Sequence, residues 1–191
     1  MRTLSRFRFF ATVMLVLSIF TIVRPSFADD DCQITLSQAT VDLRTLRKEE
    51  AIKSAQGWNK MSEKDVNVSV FCPSSRQMAV FFGGAAGEQG RFKFGTQSGV
   101  AMNISQLTLD GQHYSIAKTT NPGSFLPDGS GAESQLIHNH QGIMPITGNT
   151  VARGQQLNFT LTVTPLLKDG EFQVTDRTTI TNEISMAVID Q

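Results

Sequence analysis

Long apolar runs are scarce in this chain. The one extended example, Phe9 to Val23, is interrupted by Thr12, Ser18 and Thr21, falls short of the roughly 20 apolar residues of a membrane span, and has no later counterpart. Catalytic signatures are missing too. The break Gly83-Gly84-Ala85-Ala86-Gly87 is followed by no Lys-Ser or Lys-Thr pair and no parallel βα unit, which argues against a phosphate-binding loop. No Gly-x-Ser-x-Gly elbow occurs. Among three histidines, His138-Asn139-His140 is the only metal-like cluster; a strand would place both imidazoles on one face, but a site needs a third ligand and His113 belongs to another segment. Carboxylate pairs such as Glu49-Glu50 sit in a charged stretch and read as solvated surface. The chain is therefore read as having no active site, no metal and no cofactor, and as not being an enzyme.

What is present begins with an address. Arg2, Arg6 and Arg8 precede the apolar run, which closes on Ser26-Phe27-Ala28 with small residues at the −3 and −1 positions, the pattern of a secretory signal peptide. Residues 1–28 are assigned to that signal and residues 29–191 to a single domain. Removing 28 of 191 residues leaves 163, enough for one domain with its own core. Four arginines leave with the signal, so 17 basic residues become 13 against 17 acidic ones, and a net charge of about −4 argues against nucleic acid as a partner. In an exported chain the isolated pair Cys32 and Cys72 reads as a disulfide.

Period-two alternation dominates the remainder. Ile34, Leu36, Val41, Leu43 and Leu46 read as one long strand with an irregularity near residues 37–40. Arg47 to Lys60 is charged, carries Ala51, Ala55 and Trp58 at helical spacing, and reads as a short surface helix or a long loop. Val66 to Cys72 forms a strand, Pro73-Ser74-Ser75 a turn, and Met78 to Phe82 a further strand. Arg91 to Phe94, Val100 to Leu109 and His113 to Lys118 are strand candidates, with Asp110-Gly111 at a hairpin turn. Asn121 to Glu133 is a loop; Leu157 to Val163 is the cleanest alternation, closed by Pro165. From Ile180 the apolar positions Ile184, Met186 and Val188 alternate with Thr181, Glu183, Ser185 and Ala187 to the last residue, the pattern of a half-buried strand at a sheet edge or beside a place left for another molecule. Three glycosylation sequons, at Asn67, Asn103 and Asn158, all fall within strands. Short strands separated by turns give an all-β antiparallel sandwich.

Cys32-Gln33-Ile34, Val41-Asp42-Leu43 and Val68-Ser69-Val70-Phe71-Cys72 resemble the opening of pilin subunits assembled by the chaperone–usher pathway, in which a disulfide joins the first two strands. Phe81 to Gly84, Gly99 to Ile104 with Leu109-Asp110-Gly111, Gly154 through Pro165 and Ile184 to Gln191 are similar to its later strands, so the resemblance covers nearly all of residues 29–191.

The resemblance implies an incomplete immunoglobulin-like sandwich lacking its last strand, in a fimbrial subunit exported through the periplasm to the cell surface and contributing to cell adhesion. It implies a groove flanked by Ile34 to Leu46, with Ile34, Leu36, Val41 and Leu43, and by Ile180 to Ile189, with Ile180, Ile184, Met186 and Val188. A periplasmic pilus chaperone would fill that groove first, its basic residues meeting the terminal carboxylate at Gln191; after delivery to an outer-membrane usher, the extension of a neighbouring pilus subunit would replace it by donor-strand complementation. A host receptor is a further candidate partner. Two departures stand out: Asp190 occupies the next-to-last place where the family commonly has an aromatic residue, and only Asp29, Asp30 and Asp31 precede Cys32 where a shaft subunit has a donor extension. The second departure implies a minor or tip subunit. The competing expectation is a self-sufficient secreted β-sandwich that binds a carbohydrate or protein.

Overall fold

A computed structural model describes residues 31–54, 57–174 and 176–191; the signal assigned to residues 1–28, and Ala55, lie outside them. In chain order the strands are β1 (Gln33–Leu36), β2 (Ile52–Lys53), β3 (Asn59–Lys60), β4 (Lys64–Gly84), β5 (Phe92–Phe94), β6 (Ser98–Leu109) and β7 (Gln112–His113). They continue as β8 (Ser115–Thr119), β9 (Ser134–Ile137), β10 (Gly142–Thr147), β11 (Thr150–Val151), β12 (Arg153–Leu167) and β13 (Ile184–Asp190). Every pairing between them is antiparallel. Among the described residues the only helical turns are short 3-10 segments, and no helix is long and apolar enough to cross a membrane.

Strand β4 is the axis of an immunoglobulin-like all-β sandwich. Its first half lies in one sheet between β1 and β12, and β12 is followed there by β6, whose far edge carries β5, β9 and β7 in turn. Its second half lies in the other sheet between β13 and β10, with β8 beyond. The expected turn at Pro73-Ser74-Ser75 is instead a bulge within β4: the ladder to β12 shifts register between Gly154 and Gln156, the N–H that Pro73 lacks falls in that gap, and β4 pairs with β12 again at Arg76 and Gln77 before crossing to the other sheet at Met78.

The main core fills the space between the sheets. Val66, Val68 and Val70 on one half of β4 and Met78, Val80 and Phe82 on the other are at most 2% exposed, and Leu157, Phe159 and Leu161 of β12 meet them. Phe82 and Phe159 stand edge to face with ring centroids 6.4 Å apart, so truncating either to alanine would cost about 3–5 kcal/mol. A smaller cluster of Ala79, Ala117, Met144, Ile146 and Val151 lies apart from the main core, with Phe125 of the 121–133 loop packed against it. Burial on both faces explains why Met78 to Phe82 reads as a continuous apolar run.

Several expected boundaries move. The first strand ends at Leu36; residues 37–46 leave the ladder, and Arg44 takes a positive φ of 58°. The described residues of Arg47 to Lys60 hold a 3-10 turn at Lys48–Glu50 and the antiparallel pair β2–β3, with no α-helix among them, and Trp58 is 2% exposed rather than on the surface. Gly83 and Gly84 belong to β4 rather than to a break. Strand β12 runs through Pro165 to Leu167. The last pair to β4 is Val163 with Lys64, and the Pro165 carbonyl accepts the Met61 N–H at 2.9 Å on the side where its own missing N–H would point. The last strand starts at Ile184 because its neighbour β4 ends at the opposing Gly84. Asp110 and Gly111, at φ 48° and 79°, make the anticipated hairpin turn.

Candidate functional site

Strands β1 and β13 are both edges: each has β4 as its one ladder partner among the described residues, on opposite halves and therefore in different sheets. The Cys32–Cys72 disulfide ties the start of β1 to β4. One residue past β1, the Ser37 N–H still donates to the Asn67 carbonyl at 2.8 Å, and the Gln38 amide takes the Asp65 carbonyl at 3.2 Å. Beyond that point residues 39–46 form a wall of their own, turned at Arg44, whose N–H bonds the Asp42 carboxylate at 2.8 Å; Val41, Leu43 and Leu46 are half-buried against the core.

The opposite wall starts at the 3-10 turn Asp169–Phe172. Asn59 Nδ2 donates to the Leu167 carbonyl and to Asp169 Oδ1, both at 3.0 Å, and Lys48 pairs with the same carboxylate. The Asn59 hydrogen bond, and secondarily Lys48, holds the Asp169 carboxyl below its ordinary value. Glu171 accepts the N–H groups of Thr96 at 2.7 Å and Gln97 at 2.8 Å and so fixes the β5–β6 turn; a Cβ at Gly95 (φ 72°) would come within 2.7 Å of that carboxylate. After Phe172 the described residues 173–174 and 176–183 belong to no ladder, and β13 follows.

Between the walls lies a groove of about 1540 Å³, bounded by residues 36–46 on one side and 177–186 on the other. Val66, Phe94, Val100, Met102, Leu161, Val163 and Leu167 make its floor, each 7% exposed or less. The walls thus shield an apolar floor from water without closing over it. The volume exceeds the roughly 300–1,000 Å³ of a small-molecule pocket.

The structure brings Leu36, Val41, Leu43, Ile180, Ile184 and Met186 to this groove. Ile34 and Val188 do not line it; both pack on the core nearby. Gln191 continues the β13 ladder by one residue, exchanging backbone hydrogen bonds with Gln77 at 2.9 and 3.0 Å, and Asp190 pairs with Arg76 at 2.5 Å, both side chains mostly buried. His138, Asn139 and His140 occupy a turn, not a strand, with His140 at φ 63°. Asn139 acts there as a backbone mimic: its Oδ1 accepts the Gly84 N–H at 3.0 Å and its Nδ2 donates to the Gly84 carbonyl at 2.9 Å. Among the described residues no group of three His, Cys, Asp or Glu is placed to hold a metal ion.

No family model matches this chain, and no curated protein matches it. Among solved structures it is similar to the P pilus rod subunit PapA, at 11% identity over 84% of this chain and 99% of that one, with a TM-score of 0.39. That likeness is too slight to carry a functional argument.

Three features of the region escaped sequence reasoning: Glu171, the pairing of Asn139 with Gly84, and Trp58, whose ring lies 3.8 Å from Lys168 Nζ and 5.0 Å from the Arg91 guanidinium. Two buried side-chain nitrogens lack a hydrogen-bond partner among the described residues, Trp58 Nε1 and Asn182 Nδ2. The second belongs to the groove.

Proposed function

We propose that the chain is a structural, non-catalytic subunit of a chaperone–usher fimbria, completed by a β-strand from another polypeptide laid into the groove beside β13. One observation carries the reading: a groove of about 1540 Å³ with an apolar floor runs beside residues 177–183 and the first three residues of β13, a strand whose second edge has no ladder partner among the described residues. A strand supplies both missing things at once, backbone groups for the open edge and alternate side chains for the floor. A periplasmic chaperone would donate that strand during export, an outer-membrane usher would receive the complex, and a neighbouring subunit would donate it at the cell surface. The three aspartates before Cys32 offer no apolar alternation to give in return, and on that composition we place the subunit at a minor or tip position contributing to adhesion.

The test is thermal unfolding of the disulfide-intact protein with and without strand-length peptides of alternating apolar residues. Expected are aggregation or a low, broad transition alone and a sharp, higher one with peptide. A monomer that melts cooperatively at high temperature and gains nothing from any peptide overturns the proposal. That outcome returns the self-sufficient sandwich, for which a cleft of about 310 Å³ lined by Asn67, Gln106, Asn158 and Thr160 would be the place to look for a carbohydrate. Immunogold labelling of intact fibres tests the tip position; label spread evenly along the shaft refutes it.

A further inference from the structure

Asn182 does not suit the wall in which it stands. In β13, Ile184, Met186 and Val188 are half-buried while Ser185 and Ala187 are exposed, and the alternation continues backwards through residues that belong to no ladder: Glu183 and Thr181 are exposed, Asn182 and Ile180 half-buried. Residues 180–183 therefore already turn alternate side chains inward as a strand does. What they lack among the described residues is a ladder partner, because β4 ends at Gly84 opposite Ile184. At the one polar inward position, Asn182 Nδ2 is shut from solvent without an acceptor, a costly state for a buried amide and an uncommon one in folded proteins.

We propose that a strand entering the groove extends β13 back to Ile180 and that Asn182 selects its register, by requiring a hydrogen-bond acceptor on the one inward-facing side chain opposite it. The proposal rests on the strand-acceptor reading above and deepens it. The ligand is an extended segment of another polypeptide, apolar at alternate positions and interrupted once by an amide or hydroxyl. An inserted strand gives residues 180–183 the ladder partner that β4 cannot, and its acceptor answers the Asn182 amide. Any slip of two residues would set an apolar side chain against that amide and bury it unsatisfied.

The experiment uses synthetic peptides of about fifteen residues alternating Val and Thr, in which each inward Val is replaced in turn by Gln, added during refolding of the disulfide-intact protein. Hydrogen exchange reads the amides of residues 180–183, and competition binding reads relative affinity. Expected are strong protection of all four amides on binding and one Gln position preferred roughly fivefold over the all-Val peptide. In Asn182→Leu that preference vanishes and the all-Val peptide binds more tightly than to the parent protein. Fluorescence of Trp58 in each peptide complex confirms that the variant has folded. Peptides that bind and protect β13 but leave residues 180–183 exchanging freely, or a Gln preference that persists in Asn182→Leu, overturn the inference while sparing the strand-acceptor reading. Failure of every peptide to bind removes that reading and the inference with it.

Discussion

Breaking the Cys32–Cys72 disulfide should lower stability by an amount set mainly by the loop it closes. The two residues lie 40 apart in sequence, and the chain-entropy relation for such a loop gives about 13 cal/mol/K, or about 4 kcal/mol at 25 °C. That is a large share of the roughly 5–15 kcal/mol available to a domain. It also falls where little else can compensate, since β1 is four residues long and its one ladder partner is β4. Urea unfolding of the peptide-bound protein, followed by fluorescence of Trp58, the single tryptophan and 2% exposed, measures it before and after reduction. With a slope of about 2 kcal/mol/M, the midpoint should fall by about 2 M. Reduction is preferable to Cys72→Ala alone, because Cys72 is fully buried and its truncation adds a packing loss to the loop effect. An unchanged midpoint with both thiols shown to be free would refute the reasoning.

Asp169 supplies a pH test. Its carboxyl is held below the ordinary value of 3.8, so its stabilising contribution is present above that pH and is lost as pH falls through the depressed folded value. Titration by nuclear magnetic resonance should give a midpoint under 3.8, and Asn59→Ala should move it upward; an unmoved midpoint removes Asn59 as the main cause. Asp190→Asn, which removes the carboxylate that meets Arg76 at 2.5 Å, should cost about 1–3 kcal/mol and speed exchange of the Gln77 and Gln191 amides; unchanged exchange there counts against a clamp on the end of β13. Gly154→Ala would place a Cβ 2.6 Å from both the Asp110 carboxylate and Leu109, so a loss of about 1–3 kcal/mol in thermal unfolding is expected, and a neutral result would show that the bulge can open.

The alternation rule located the strands wherever one face meets the core and the other meets water, as in β12, where Leu157 to Val163 could be read at sight. It failed wherever a neighbouring strand, rather than the sequence itself, sets a boundary. Val41 and Leu43 keep the period of β1 after the ladder has ended, and Ile180 keeps that of β13 before it begins. Pro73 reads as a turn because its missing N–H says only that a bond is absent, not that the strand runs on through a bulge. Both walls of the groove could be named from the chain because they carry apolar residues in short period-two runs, Val41 and Leu43 on one and Ile184, Met186 and Val188 beside the other. Glu171, Asn139 and the cations over Trp58 could not, since each acts on a partner distant in sequence.

The length of β4 has a mechanical consequence. Both groove walls hang from this one strand, β1 through its first half and β13 through its second, each running antiparallel to it. A pull along a strand lodged beside β13 would pass through the β13–β4 ladder and load all seven of its pairs together in shear, instead of opening them one at a time as a zipper. Load reaching β4 would then spread into both sheets at once, through β12 on one side of the crossing and β10 on the other, so that neither sheet could yield without the other.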